Sequence, residues 1–441
     1  MHRTALILVA LISVLGCDDE DDASPAIDGS AAADGAVDAG PTSPGFVGEV
    51  PAEAPANEVL TLTIATGVPD VAVQAQVTRG GGLVPAEVRS SDDGLAQVRW
   101  TLGRMPVDNE LHLELGTSPP LTLTAQVRGS LAEPLAAEPF GDVLALLEAE
   151  GVEGSTEDLV FTAAGLLVGV PEGLASVTPD GTAERLALSG DAIVAPLGLA
   201  LDADGMLWMA DGRGSALRRV SPDGAVDTPL TEVEGAPLQG PNYVAFDADG
   251  RLYLSDPCRA EIIRYDPSSG ETVTHAFDFA TEGGPNGMAV TPDGTGLVVL
   301  TENTGLLCMH RGIAIDDEVA GAFLIDLDDF SQRTPLATRL GLFGDGLAYD
   351  AEGNLYVIFD KQANFQLEES AILVLPAGGT EFTKVAVAPP RTLFANLAFG
   401  QGPYGETMLY IALLHVPPFT DAGSRGLMRL ETGLTGLPLR P

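Results

Sequence analysis

Basic residues are scarce in this chain. Its 441 residues include 22 Lys and Arg against 63 Asp and Glu, a formal charge of -41. Such a surface repels nucleic acid and anionic lipid, so nucleic-acid readers are excluded. Cysteine is nearly absent too, and three are too few for a disulfide scaffold. Only 2 Trp, 7 Tyr and 15 Phe stand beside 52 Gly and 32 Pro, a balance that suits a turn-dense β protein rather than a helical bundle. The sequence holds no Gly-x-Ser-x-Gly elbow and no HExxH, which removes the usual carriers of serine-nucleophile and zincin chemistry. His112, His275, His310 and His415 are isolated and read as structural or exposed.

What is present changes character along the chain. His2 and Arg3 precede an apolar run, Ala5–Leu15, then Gly16 and Cys17. The run is about half the ~20 residues of a bilayer span, so it reads as an export signal. A small residue before Cys17 resembles the lipobox of bacterial lipoproteins, and that resemblance implies cleavage before Cys17 and acylation of it. The alternative is an ordinary secretory signal with a chance cysteine. From Asp18 to about Gly45 the chain is Asp, Ala, Gly, Ser and Pro without Lys or Arg, a composition that solvates rather than packs. Its acidic start, Asp18–Asp22, reads as solvating linker before it reads as a cation site.

From Glu58 to Gly129 apolar residues alternate: Val59–Ile64, Val71–Val77, Ala96–Leu102, Leu111–Leu115 and Leu121–Val127. Period two predicts half-buried strands. Gly80-Gly81-Gly82 followed by Asp92-Asp93-Gly94 and the strand through Trp100 resembles bacterial immunoglobulin-like domains of the invasin type. Trp100 is then the aromatic anchor of a sandwich core, and the domain acts as a spacer. Leu131–Glu150, with Pro134, Pro139 and the apolar run Val143–Leu147, is a transition placed to supply a closing strand.

The rest of the chain repeats itself. A phrase beginning at Glu157, Leu197, Asn242, Asn286, Asp345 and Ala395 recurs at intervals of 40, 45, 44, 59 and 50 residues, and in the first five copies a glycine follows eight residues later. These intervals match the four-stranded blades of a β-propeller. Turns such as Asp202–Gly205 and Asp247–Gly250 carry hairpin chemistry and lack the remaining ligands of a Ca²⁺ loop. The fold class is therefore expected to be all-β: a six-bladed β-propeller over 131–441, after a signal (1–16), a disordered acidic linker (17–57) and an Ig-like β-sandwich (58–130).

Equivalent first-strand positions in a propeller share one height around the channel. Four of the six opening residues, Glu157, Asn242, Asn286 and Asp345, are oxygen donors of the kind that hard cations seek. Each alone reads as a turn residue or a solvated edge, but turn residues have no reason to coincide in register. This constellation resembles the senescence-marker-protein/gluconolactonase/luciferin-regenerating-enzyme family, which includes regucalcin and bacterial sugar lactonases, over about residues 141–435. The resemblance implies one divalent cation on Glu157, Asn286 and Asp345, with Ca²⁺ first and Zn²⁺, Mg²⁺ or Mn²⁺ as alternatives. It further implies Asn242 near the substrate and Asp345 as the base of lactone hydrolysis. Two departures bear on specificity: Tyr243 stands where many family hydrolases have Asp, and Gly240 where they have Arg.

Three smaller expectations remain open at the level of sequence. Thr301-Glu302-Asn303 either lines the channel with a second carboxylate or belongs to a surface loop, the latter being the heavier reading. The insertion between Cys308 and Leu324, with Pro389-Pro390-Arg391, is placed to shape the rim. Cys258 and Cys308 either form a bridge closing 50 residues, worth about 4 kcal/mol on the loop-entropy model, or are two buried thiols. The functional expectation is a monomeric, lipid-anchored metal-dependent hydrolase of the bacterial cell envelope, in the periplasm or at the cell surface, acting on a small-molecule lactone or ester. The alternative is a non-catalytic binding module resembling NHL-type propellers.

Overall fold

The computed structural model describes residues 44–441 apart from 117, 129–130, 132, 304–307, 309–317, 364–365, 418–419 and 439–441, and without the side chains of 362–366. The signal, Cys17 and most of the linker lie outside the described residues. Within the stretch expected as linker, however, Gly45–Val47 pairs with Val59–Ala65, and Glu53–Ala54 pairs with Leu121–Val127. Ordered structure thus begins well before residue 58.

Alternation dictates the first layer. One sheet orders Gly45–Val47, Val59–Ala65 and Leu95–Thr101; the other orders Glu53–Ala54, Leu121–Val127, Asp108–Leu115, Ala72–Arg79 and Glu87–Arg89. Every second residue turns inward, so Leu60, Leu62, Ile64, Val98, Leu111 and Leu113 share one core with Trp100, which is fully buried as expected. This sandwich does not swing free as a spacer. Met105 and Val107 enter a core with Tyr356, Ile358 and Phe394, and the carboxylate of Glu352 accepts the Gly80 N–H at 2.8 and 2.9 Å.

Among the described residues, six successive four-strand antiparallel runs follow. Their first strands are Leu159–Thr162, Pro196–Leu201, Val244–Phe246, Gly284–Val290, Phe343–Tyr349 and Leu393–Phe399. The sixth run takes its outer strand from the N-terminal side: Glu138–Phe140 pairs with Leu427–Glu431. That strand closes the ring, while the apolar run beside it forms a helix, Val143–Glu150, ended by Gly151 at φ 67°. Runs four and five meet edge to edge where Glu302 pairs with Phe343.

Six apolar clusters, one at each junction between successive runs, hold this arrangement. Phe161 meets Tyr404 and Tyr410 between the last run and the first, and Trp208 meets Tyr265 between the second and third. Further clusters join runs one and two, three and four, four and five, and five and six. Cys258 and Cys308 are joined in a disulfide. The repeated turn acids serve the hairpins themselves. Asp202 accepts from Trp208 Nε1 at 2.7 Å and Asp247 from the Tyr253 hydroxyl at 2.8 Å, while each also caps backbone N–H groups of its own turn. No helix of the described residues is long and apolar enough to cross a membrane.

Candidate functional site

The six first strands contact one another in cyclic order, which brings their opening residues to one end of a central channel. Of these, Asn242, Asn286 and Asp345 are buried, Glu157 is half-buried, Leu197 is half-buried and Ala395 is buried. The expected donors therefore do come together. The Asp345 carboxyl is held well above the usual range by burial and then by the charges of Glu157, Asp360, Glu302 and Asp158. Glu157 is pushed up to about 7 by loss of water, an effect that the Arg213 guanidinium opposes.

The next residue in each strand builds a second layer: Asp158, Gly198, Tyr243, Gly287, Gly346 and Asn396. Asp158 accepts the N–H groups of Leu159 and Leu199 at 2.6 and 2.5 Å and a hydrogen bond from Asn396 Nδ2. The Tyr243 hydroxyl lies 3.1 to 3.2 Å from both ends of the same Asn396 amide. These three side chains thus tie across the channel. Glycine at 287 is a steric demand, since a Cβ there would stand 1.8 Å from the Asp345 carbonyl oxygen. Beyond this layer the first strands line an open, largely apolar pocket of about 290 Å³ that includes Phe161, Phe246, Tyr349 and Phe399.

Two acids join the ring from the second strands. Glu302 and Asp360 are 2 % and 1 % exposed, so Thr301-Glu302-Asn303 is a buried strand end and the heavier loop reading is corrected. Burial lifts both carboxyls to about 8; the charges of Glu157 and Asp360 add to it at Glu302, while the Asn286 and Ser370 hydrogen bonds oppose it at Glu302 and Asp360 respectively. Asn286 Nδ2 donates to Glu302 Oε2 at 2.9 Å. Among the described residues, three buried side-chain oxygens form no hydrogen bond: Asn286 Oδ1, Glu302 Oε1 and Asp360 Oδ1.

The insertion expected to shape the rim falls partly outside the described residues, and from Ala320 onward it is the third strand of run four. The Gly240 departure has a steric cause. A Cβ at Gly240 would meet Cys258 Sγ at 2.9 Å, so the disulfide fills the space in which a larger residue would start. Reading by sequence missed Asp158, Asp360 and Asn396. The signal for Asp158 and Asn396 was their common place one residue after the repeated opening position.

These features bear on a cation. Among the described residues, no three of His, Cys, Asp and Glu gather closely enough to hold a metal. The expected set does not need such a triple, because its third donor is an amide. Hard divalent cations seek oxygen donors, and an unpartnered, buried Asn286 Oδ1 on the same ring as the Glu157 and Asp345 carboxyls fits one.

No family model matches the chain, and no curated protein does. Solved structures resemble it at low identity. A gluconolactonase from Xanthomonas campestris is 20% identical, with TM-score 0.48 over 69% of this chain and 98% of its own. A luciferin-regenerating enzyme is 15% identical, with TM-score 0.49 over 69% and 97%. A virginiamycin B lyase from Staphylococcus aureus is 13% identical, with TM-score 0.42 over 83% and 100%. The nearly all-β chain thus has propeller-like neighbours, and residue roles rest on its own geometry.

Proposed function

We propose that this protein is a divalent-cation-dependent hydrolase that opens a lactone or similar ester at the acidic end of its channel. The observation that carries the reading is the unpartnered, buried Asn286 Oδ1, whose amide is held by Glu302, on the same ring as Asp345, a buried carboxyl on which the charges of Glu157, Asp360 and Glu302 act. Burying uncompensated charge is costly, and a cation on Glu157, Asn286 and Asp345 offsets that cost. In this reading the six runs are the blades of a six-bladed propeller, and the strands before them form an Ig-like sandwich. Cys17 is the lipid anchor of a monomeric cell-envelope protein.

When bound, the cation supplies a Lewis acid for the ester carbonyl and the oxyanion that develops on it. Asp345 takes a proton from the attacking water and returns it to the leaving alkoxide oxygen, giving the hydroxy acid. Asn242 orients the substrate through its amide.

A second reading, a non-catalytic binding propeller, is favoured by Tyr243 and Gly240, which replace the Asp and Arg of many lactonases with a structural hydroxyl and a disulfide contact. Calorimetry of the full chain with Ca²⁺, Mn²⁺, Mg²⁺ and Zn²⁺, beside Asn286→Ala and Asp345→Ala, decides first. Tight binding by the wild type that both variants lose supports the site; no binding to any cation sinks the hydrolase. Hydrolysis across a panel of aliphatic, sugar and acyl lactones then separates the readings. A chain that binds cation and opens none is a binding module.

A further inference from the structure

The channel holds an acid that the cation ligands do not require. Glu302 ends the strand Gly296–Glu302, which is seven residues long, where the equivalent strands Leu207–Asp211 and Leu252–Asp256 have five. Met209, Leu254 and Val299 occupy one register, opposite Leu199, Val244 and Met288. Asp211 and Asp256 come two residues after that register, and Glu302 comes three. One extra residue turns a side chain to the other face of a strand, and this brings Glu302 against Asn286 rather than against loop backbone.

The contact is chemically one-sided. In its ionised form, the one that a cation beside it favours, a carboxylate only accepts hydrogen bonds, so the amide facing it must present its NH₂ group. Asn286 does so, with Nδ2 at 2.9 Å from Glu302 Oε2, and its Oδ1 is thereby left buried without a partner. The reverse orientation sets the amide oxygen against the carboxylate and offers an NH₂ group to the cation position. An amide that chooses wrongly loses a ligand and adds a repulsive donor.

We infer that Glu302 is a positioning residue that fixes the Asn286 amide so that Oδ1 faces the cation. The inference rests on the cation site proposed above and goes beyond its ligand set. Outer partners of metal ligands commonly change affinity by 10- to 100-fold. Glu302 is distinct from a ligand in one respect that can be measured: its role needs an acceptor atom, not a charge.

The experiment is calorimetric Ca²⁺ and Mn²⁺ titration of the full chain as wild type, Glu302→Gln and Glu302→Met, with thermal unfolding of each without cation. Glu302→Met, which offers no amide acceptor, is expected to weaken cation binding about 10- to 100-fold while unfolding no earlier than the wild type. Glu302→Gln keeps an oxygen that accepts from Nδ2 and is expected to stay within about threefold of the wild type. Equal weakening in both variants overturns the inference in favour of simple charge attraction, and unchanged affinity in Glu302→Met overturns it outright. If Glu302→Met loses its fold, Glu302→Gln decides alone: a loss of tenfold or more overturns the inference, and retained affinity supports it. A wild type that binds no cation refutes the underlying site, a result distinct from any of these.

Discussion

Acids close the second strands of runs two and three and also stand in the second strands of runs four and five, yet they live in opposite circumstances. The Asp211 carboxylate accepts from the N–H groups of Val194, Ala195 and Gly214 and from Arg218 Nε. Asp256 accepts from the N–H groups of Gln239, Gly240 and Arg259. Glu302 has a single amide donor, and Asp360 Oδ1 has none. The offset is one residue: in run five Asp360 follows Val357 by three, as Glu302 follows Val299. An acid supplied with N–H groups is scaffold. One left short of them, in the same fold and a pleat away, marks a place prepared for something else.

The largest break in that comparison should come from Asp211→Ala. It orphans three N–H groups and takes from Arg218, whose side chain is 13% exposed, its nearest carboxylate, leaving only Asp191 at 3.9 Å and the Thr228 hydroxyl. Breaking a buried pair of this kind costs about 3–5 kcal/mol, read as a fall in urea midpoint. A loss below about 0.5 kcal/mol would mean that the loop caps itself and that the acids of runs two and three are not scaffold.

Next in size is pH. Glu302 and Asp360 titrate near 8 in the fold, against ordinary values of 4.5 and 3.8. They therefore bind protons more tightly folded than unfolded, and unfolding between those limits releases protons. The stability that they contribute is present below about pH 4 and is lost as pH rises through about 8. Thermal unfolding of the cation-free protein should drop by several degrees from pH 5 to pH 8, and Ca²⁺ should recover the loss at pH 8. A flat or rising profile would place compensating charge beside these acids.

Asp360→Asn tests the same contrast with the opposite sign to Asp211→Ala. Removing a buried, underpaired charge should stabilise the cation-free protein by about 1–2 kcal/mol at pH 8 and flatten the pH dependence. Destabilisation comparable to that of Asp211→Ala would put Asp360 with the scaffold.

The repeat grammar, the strands and the ring of Glu157, Asn242, Asn286 and Asp345 were legible because hydrophobic period and register are written locally. What escaped was written across the chain. Asp158 and Asn396 are 238 residues apart, and nothing near either announces the other. Glu302 looked like loop because its strand outruns the repeat by one residue at this end, so the template ended too early. The docking of Met105 and Val107 onto Tyr356 and Ile358 was hidden for a different reason: apolar residues at a sandwich end read as ordinary until a partner surface exists.

The smallest expected effect concerns the layer beneath the ring. In Tyr243→Phe the hydroxyl that sits 3.1 to 3.2 Å from Asn396 is lost, while Asn396 keeps its hydrogen bond to Asp158. A single neutral hydrogen bond is worth about 1 kcal/mol, so the unfolding midpoint should fall slightly. Cation affinity should stay within about twofold if Asp158, Tyr243 and Asn396 are scaffold in the sense that Asp211 is. The contrast would then run along the channel as well as around it, with satisfied polar groups in the layer and unsatisfied ones in the ring. A tenfold change in affinity with little change in stability would instead extend the site inward, to a hydroxyl that the Asp345 charge already reaches.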